Sequence, residues 1–565
     1  MSDKKDSTEL LQDNDFEKVF TNTMDVEAID RKIKKQKRQI QIGIFAILLA
    51  VFGFYQYQQY LLESNQDYLG GNVIRLANGS SQQEEVLIPS PWRNASYISS
   101  LLFRTLFLTD NSYTEINPNL AEKFVVQDEG LTYVITLRDD QKWSDGMPIT
   151  TEDVLFSFEA FMSCTNVNSY VSAAFNKIEG ASEFAEGKAK SISGISIDGN
   201  QITIKLESSY STFDLMLTQF APLPKHILEG TDITLLSTEH EFFINNNCIS
   251  SGPFMVEGMD QDYNLVFVKN PEYTDETTDI DKFIFCWDYE NTELDYYATN
   301  NLNQMVSYRS MKGYEEHEVN VLYYRYFIFN TAGGDEGEDN TAMQDPRVRQ
   351  AINHAIDVET LMNDVYLGKG TMVYGGAVDI ATQMYEFNPE KAKQLLDEAG
   401  YDFNRTFTIA YYSGDTNSRI FLERIQKYLE DVGLKVELIF AGSAALYAEP
   451  TYDMMMKNLS SLNNQDWYNE YLSTNANISQ LLGREGEFDD LVDQLNSVVD
   501  KTDYDQVLQE LVDLEQELLY KMPMFLLTEA IYTNGNRLSV PEDIVFGNTR
   551  YFSDIRLDEW YVKKG

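Results

Sequence analysis

Cysteine and histidine are scarce in this 565-residue chain, which has three of the first and four of the second. The cysteines are odd in number and show no CxxC spacing, so the sequence indicates neither a zinc module nor a disulfide framework. Cys164, Cys248 and Cys286 are compatible with one disulfide or with three buried free thiols. Because no histidine belongs to an HExxH motif, we predict no metal site. The four histidines are His226, His240, His317 and His354.

Positive charge is also scarce. The chain has 44 Lys and Arg against 90 Asp and Glu, which gives a formal net charge of -46. Phosphates would be repelled by this charge, so nucleic acid is excluded as a partner. Aromatic residues make up 13% and hydrophobic residues 43% of the chain, too much for a disordered acidic polymer. The length and composition therefore predict a globular protein of more than one domain with an acidic surface.

The sequence lacks a recognisable catalytic constellation. The GISIDG string over 194–199 has the wrong spacing for a nucleophile motif, and the alternating residues around it predict a hairpin. The Gly-Lys-Gly string over 368–370 lacks the rest of a phosphate-binding loop. The run over 315–318 could hold a cation, but an exposed charge run is the favoured interpretation. The acidic loop over 335–339 lacks EF-hand spacing. We therefore predict no catalytic residue and no cofactor, and an extracellular hydrolase is the least favoured class.

A basic cluster followed by an uncharged segment lies near the N-terminus. Residues 1–38 read as a disordered tail that ends in Lys and Arg, and the uncharged segment over 39–62 follows. Its apolar centre is close to the roughly 20 residues that cross a bilayer, and basic flanks stay in the cytoplasm. We predict one transmembrane helix here, with residues 71–565 outside the cytoplasm. A cleaved signal peptide is the alternative, although Val51-Phe52-Gly53 is a poor cleavage site.

The stretch over 120–158 combines a strand, a turn and a capped helix. Apolar residues alternate from Leu131 to Leu137, which predicts a strand with one apolar face. The SDG string over 144–146 predicts a turn. Thr150 precedes two acids and an apolar run at helical spacing, so it predicts the N-cap of a helix.

Similar signals divide the second half of the chain into helices and strands. Asp345-Pro346 and Asn388-Pro389 each predict the start of a helix, and Gly400 predicts the end of the second one. Residues 500–524 predict a long helix that is followed by a strand. The chain therefore mixes helices and short strands, and no internal repeat interrupts the pattern.

Several strings occur in an order that resembles a known family. They are LAE (120–122), KWSDGMPIT (142–150), APLPKHIL (221–228), SGPFMV (251–256), KNPEY (269–273), DPRVRQAINHAID (345–357) and NPEKAKQLLDEAGY (388–401). In this order they resemble the family 5 extracellular solute-binding proteins of ABC transporters, which include oligopeptide-, dipeptide- and nickel-binding proteins. The resemblance covers about residues 120–560.

The resemblance implies a two-lobed α/β fold of the periplasmic-binding-protein type II class, with a hinge between the lobes. Lobe 1 is expected over 71–270 and is completed by 530–565, and lobe 2 is expected over 275–528. The implied function is the capture of a peptide or similar polar organic solute for an ABC permease and its ATPase, by lobe closure at the outer face of the membrane. Nickel is less favoured because histidines are few. A membrane-anchored, ligand-sensing receptor is the alternative function.

The resemblance also implies a ligand site. In peptide-binding members, a loop that matches NNQDWYNEY over 463–471 carries an acid for the ligand's free amine, preceded by Gly-Trp. This chain lacks the Gly-Trp pair, and Asp466 is the acid nearest to the matching place. An ordinary packed loop is the alternative for this segment. The predicted ligand contacts are Ser251, Asn463, Asn464, Asp466, Trp467 and Tyr468.

Overall fold

The computed structural model describes residues 72–78, 87–89, 92, 98–109, 115–165, 167–244, 248–288, 292–299, 301–332, 341–377, 385–448, 450–461, 463–483, 486–540 and 557–563, and several helical residues between 30 and 53. Residues 1–73 form one unit of the chain and residues 74–565 form another. Among the described residues, no helix is both long and apolar enough to cross a membrane. The predicted anchor over 39–62 lies almost entirely outside the described residues.

Two strands are much longer than the others, at 16 and 14 residues. The strands are β1 (Val73–Asn78), β2 (Phe107–Thr109), β3 (Ile116–Pro118), β4 (Ala121–Gln127), β5 (Thr132–Leu137), β6 (Ile195–Asp198), β7 (Gln201–Lys205), β8 (Phe254–Met259), β9 (Leu265–Lys269), β10 (Lys282–Phe285), β11 (Tyr296–Thr299), β12 (Tyr314–Phe329), β13 (Gly370–Met372), β14 (Thr406–Tyr411), β15 (Lys435–Phe440), β16 (Met454–Ser460), β17 (Lys521–Asn534), β18 (Leu538–Ser539) and β19 (Tyr561–Val562). The long strands are β12 and β17, and both run from one hydrophobic core to the other.

Helices fill the segments between the strands. They are α1 (Ser99–Leu102), α2 (Thr151–Ser163), α3 (Ser169–Phe175), α4 (Ala181–Ala185), α5 (Phe213–Leu217), α6 (Lys225–Leu228), α7 (Glu241–Ile244), α8 (Leu302–Arg309), α9 (Pro346–Ala355), α10 (Val358–Tyr366), α11 (Pro389–Ala399), α12 (Thr416–Asp431), α13 (Ser443–Ala448), α14 (Asn464–Asn469), α15 (Ala476–Leu482), α16 (Asp489–Ser497) and α17 (Lys501–Leu518). The long helix predicted after residue 500 is α17, and β17 follows it as predicted.

The predicted helix ends are confirmed by their capping geometry. Thr150 and Asp153 form a capping box at the start of α2. Asp345 accepts a hydrogen bond from a backbone N–H of the first turn of α9. Asn388 does the same for α11, which ends at Gly400 with φ 69°. Each cap involves residues within four positions of one another, so the local sequence is sufficient to determine it.

The described strands form one large mixed sheet, a smaller antiparallel sheet and two two-stranded pairs, β2 with β3 and β18 with β19. The large sheet has the order β15-β14-β16-β12-β17-β11-β1-β10-β9-β8, and β13 also pairs with β17. The smaller sheet has the order β4-β5-β7-β6 and contains the hairpin that was predicted around residue 199. Its strand β5 buries Tyr133, Ile135 and Leu137 as predicted, whereas Leu131 lies before the strand and is exposed. The smaller sheet packs into the first of two hydrophobic cores.

Buried apolar side chains of the described residues include two large clusters, and further buried rings such as Phe327, Tyr366 and Phe421 pack together outside both. The first core contains residues from Ile74 to Val319 and returns near the C-terminus with Ile531 and Trp560. The second core contains residues from Tyr324 to Tyr520. The division into lobe 1 and lobe 2 stays a prediction, and the first core includes Ile280 to Val319, which the prediction placed in lobe 2.

Strands β12 and β17 pass from one core to the other side by side. On β12, Val319 belongs to the first core and Tyr324 to the second. On β17, Ile531 belongs to the first core and Leu526 packs against the second. The antiparallel register shifts at this level, so that residues 321–323 of β12 lie opposite one residue of β17. Such a bulge bends a strand, and here it lies between the two cores.

The acidic run over 315–318 lies in β12, where Glu315 and Glu318 are exposed as predicted and Glu316 and His317 are half-buried. Glu316 forms ion pairs with Arg309 at 2.5 Å and with Lys369 at 2.9 Å. Lys369 also pairs with Glu318. Among the described residues, no group of three or more acids, histidines or cysteines could hold a metal ion. The run therefore has ion-pair partners within the protein.

Candidate functional site

The carboxyl ends of three strands in the second half of the chain form the candidate site. Strand β14 runs parallel to β15 and to β16. In open α/β sheets, ligands bind beside the carboxyl ends of parallel strands. Tyr411 and Phe440 end β14 and β15, and their ring centroids are 5.2 Å apart. Phe440 is 60% exposed, so this edge presents an aromatic surface to solvent.

Polar groups converge at the same edge. The backbone N–H of Asn458, near the end of β16, donates to the hydroxyl of Tyr412 at 3.3 Å. Arg325 donates from Nε to the side-chain oxygen of Asn458 at 3.0 Å. The Arg325 guanidinium is buried and also donates to the hydroxyl of Tyr366. An aromatic wall with a few fixed polar groups is the usual lining of a small-molecule site.

A buried charge cluster, formed by Lys457, Glu470, Lys521 and Glu515, lies next to this edge. Glu470 accepts from Lys457 at 3.0 Å and from Lys521 at 2.9 Å. Burial acts to raise the pKa of Glu470, but the two lysines outweigh it and lower this pKa to about 2. Lys521 is fully buried, and burial lowers its pKa to about 8.

Glu515, on α17, joins the cluster to the loop and helix around it. It accepts hydrogen bonds from Trp467 Nε1 at 2.6 Å and from the hydroxyls of Tyr468 and Tyr471, each at 3.0 Å. The backbone N–H of Gly376 donates to the same carboxylate at 3.1 Å. Four donors can stabilise a buried carboxylate, so Glu515 fixes these groups relative to one another.

The segment that was predicted to bind the ligand forms the short helix α14. Asn463 caps the helix, and Asp466 completes a capping box with it. Trp467 and Tyr468 are fully buried and bond to Glu515. Asn463 and Asn464 are half-buried. These side chains lie together on α14, and contact with a ligand stays a prediction for all of them.

Ser251 lies in the first core, apart from α14. Its side-chain oxygen accepts from the backbone N–H of Arg104 at 2.9 Å, and its own N–H donates to Leu102. Ser251 is 2% exposed. The neighbouring Gly252 has no room for a side chain, because a Cβ would lie 2.5 Å from the Leu101 oxygen. Both residues fasten the start of β8 to α1, and a role of Ser251 in ligand binding stays a prediction.

The buried charge cluster was not predicted from the sequence, although a signal for it exists. Lys457 directly follows three buried methionines over 454–456 in β16 and is itself buried. Glu515 occupies the next helical position after the buried face of Leu508, Leu511 and Val512. A charged residue in an apolar pattern indicates a buried partner of opposite charge, because an unpaired one would be too costly.

The lowered pKa of Lys521 predicts a stability change at alkaline pH. The unfolded chain holds a lysine proton up to about pH 10.4, and the folded chain releases it near pH 8. Below pH 8 the folded protein must bury a protonated Lys521, which lowers its free energy of unfolding. We expect the free energy of unfolding to rise as the pH increases from about 8 towards 10. Urea unfolding between pH 7 and pH 10 would measure it. Lys521→Met should lack this rise, and an identical pH profile in both proteins would contradict the prediction.

The fold and the site together define a two-lobed binding protein. Residues 115–480 match the model of the bacterial extracellular solute-binding proteins, family 5. The chain belongs to this family. Its members are solute-binding proteins of transport systems, which confirms the prediction that the chain is not an enzyme.

Individual relatives agree with the assignment. The chain is 24% identical over 378 residues to the oligopeptide-binding protein OppA of Lactococcus lactis subsp. cremoris, across 59% of this chain and 62% of the relative. It is 23% identical over 504 residues to the oligopeptide-binding protein AppA of Bacillus subtilis, across 83% of this chain and 87% of the relative. The crystal structure of the substrate-binding protein CtaP from Listeria monocytogenes matches 87% of this chain and 100% of its own, with a TM-score of 0.71 and 17% identity. The predicted periplasmic-binding-protein-like fold is thereby confirmed.

Proposed function

We propose that this chain captures peptides or similar polar organic solutes outside the cytoplasm and delivers them to an ABC permease and its ATPase. The observation that carries the proposal is the family match over residues 115–480, together with relatives that are named oligopeptide-binding proteins. The two cores and the bulged strands between them support capture by lobe closure. The family match favours solute capture over a signalling receptor.

The solute would lie against the strand ends of the second core. Phe440 and Tyr411 would pack against its apolar parts, and the amide of Asn458 would hydrogen-bond to its polar parts. Asn463 and Asn464 are half-buried at the start of α14 and are further candidates. Capture of this kind needs no covalent chemistry, because closure alone removes the solute from water.

The proposed location is the outer face of a membrane, with the segment over 39–62 as the anchor. The motive is the basic cluster before an uncharged segment. N-terminal sequencing of protein extracted from membranes tests this proposal. A mature terminus near residue 54 would show that the segment is a cleaved signal peptide instead.

The function is tested by mass spectrometry of small molecules released from the purified chain. We expect peptides, because the relatives are named oligopeptide-binding proteins and the proposed site combines aromatic rings with amides. The released compounds should also bind again to the protein after it has been stripped of ligand. Recovery of one non-peptide compound that rebinds, with no peptide doing so, would contradict the peptide assignment.

Phe440→Ala should weaken binding of a recovered peptide by about tenfold, which equals about 1.4 kcal/mol. The exposed ring contributes little to folding, so the melting temperature should change little. Phe387→Ala is the matched control, since Phe387 is 43% exposed and lies outside the strand edge. Isothermal titration calorimetry measures both variants. Equal losses of affinity in the two would place the solute elsewhere.

Free-amine and N-acetylated forms of one peptide should bind equally well. Both acids of the α14 segment are engaged within the protein, Asp466 in the capping box and Glu470 with two lysines. Breaking either arrangement would cost about as much as a new ion pair to the ligand gains. Calorimetry on the two forms tests this expectation. If the wild-type protein prefers the free-amine form and Asp466→Asn abolishes that preference, then Asp466 binds the amine and the expectation is wrong.

A further inference from the structure

Residues 209–212, which we name the latch segment, connect the first core to the second. The segment follows β7, and its Tyr210 is buried in the first core. Tyr210 also lies near Asn469 at the end of α14. Ser209, Ser211 and Thr212 make hydrogen bonds to α14 and to the end of α16.

Three hydrogen bonds join the latch segment to the end of α16. The Ser209 hydroxyl donates to the backbone oxygen of Ser497 at 2.7 Å. The backbone N–H of Ser211 donates to the oxygen of Asn496 at 2.8 Å. The Ser211 hydroxyl donates to the oxygen of Leu495 at 3.0 Å. One of these bonds involves backbone groups on both sides, so the two backbones lie close together here.

Gln465 on α14 binds the other end of the latch segment. Its side-chain oxygen accepts from the Thr212 hydroxyl at 2.8 Å, and its Nε2 donates to the Ser211 hydroxyl at 2.5 Å. The same Nε2 lies 3.2 Å from the side-chain oxygen of Asn496. Gln465 is 1% exposed, which shows that the contact excludes water.

Gly130 and Val499 lie close together beside the latch segment, which is independent evidence that the two parts of the protein are in contact there. Gly130, before β5 in the first half of the chain, has φ 89°. A Cβ at this position would lie 2.7 Å from Cγ2 of Val499, which follows α16. Only glycine combines this backbone conformation with such a short distance. The two parts of the protein therefore touch at two neighbouring places.

We propose that the latch segment holds the two lobes together before a solute arrives. The inference rests on the proposed function, since it assumes that the lobes open and close around a solute. Every group in the contact is a neutral hydroxyl, amide or carbonyl. Neutral hydrogen bonds exchange with water at little net cost, so the contact can break and form again. It should also be insensitive to salt, because no ion pair takes part.

The latch would act on rates more than on affinity. It stabilises the closed form equally with and without solute, so its loss should raise the association and dissociation rate constants by similar factors. The dissociation constant should then change little. Loss of a solute contact differs, because it changes the dissociation constant itself.

Hydrogen exchange of the ligand-free full chain tests the latch without knowledge of the solute. The Ser211 N–H should be protected in the wild-type protein, because its acceptor is Asn496 across the contact. Gln465→Ala should speed exchange at Ser211 by tenfold or more. The matched control is Gln426→Ala, since Gln426 donates to Val436 within the second half of the chain alone. Mass spectrometry with residue-level fragmentation measures the exchange rate of the Ser211 N–H.

Two results would overturn the proposal. The first is wild-type exchange at Ser211 as fast as in an unstructured peptide. The second is unchanged exchange in Gln465→Ala. If that variant fails to fold, as judged by circular dichroism, Thr212→Val removes one hydroxyl at similar volume and takes its place. Since no solute is present, failure of the latch is distinguishable from failure of the proposed peptide capture.

Discussion

Glu470→Gln is expected to lower the free energy of unfolding by about 3–5 kcal/mol. The substitution removes the charge that faces Lys457 and Lys521, which are 7% and 0% exposed. Two buried lysines would then lack their shared carboxylate, and a buried charge without a partner is far more costly than a surface one. Urea unfolding at pH 7 measures the loss.

Glu257→Gln is the matched control for this substitution. Glu257 pairs with Lys282 at 2.9 Å, close to the distances in the buried charge cluster, but its side chain is 52% exposed. A surface pair of this kind contributes at most about 1 kcal/mol. If both variants lose the same stability, burial does not determine the strength of the cluster.

Gly376→Ala is expected to destabilise the protein by about 3 kcal/mol, at the upper end of overpacking substitutions. A Cβ at Gly376 would lie 1.8 Å from Cδ1 and 2.3 Å from Cγ of Trp467. The indole cannot move away, because it is fully buried and bonded to Glu515. The Gly376 N–H donates to the same carboxylate, so a shift of the loop would also break this bond.

Gly442→Ala serves as the control for this second substitution. No atom lies within 4 Å of a Cβ at Gly442, so alanine should be tolerated there. Thermal and urea unfolding of both variants measure the difference. A Gly376→Ala protein as stable as Gly442→Ala would show that the Trp467 pocket adapts more easily than its packing indicates.

Local features of the fold could be predicted from the sequence because their causes are local. The capping box at Thr150 and the caps at Asp345 and Asn388 depend on residues within four positions. The order of the family motifs also indicated the two-lobed architecture correctly. Pairing of β12 with β17 could not be predicted in the same way, since neither strand carries a pattern that identifies its partner.

The candidate site was predictable only in part for a similar reason. The sequence showed that aromatic and amide side chains are concentrated around Trp467, and the structure packs Trp467 against Tyr324 and Glu515, while ligand binding by this segment stays a prediction. Its charge partners Lys457 and Lys521 are separated from each other in sequence, and among 90 acids no single pairing stands out. The exposed edge at Phe440 became visible only through the parallel pairing of β14 and β15.

The first core cannot be completed before residues from Ile531 to Trp560 have left the ribosome. His317 on β12 lies beside Thr533 on β17, which is 216 positions later in the chain. Contacts this distant form slowly, because the intervening chain must first close a long loop. During synthesis β12 therefore remains unpaired until β17 has been made, and a chain in this state is prone to aggregation unless a chaperone binds it. Late completion of the sheet is compatible with passage of an unfolded polypeptide through a membrane before it folds.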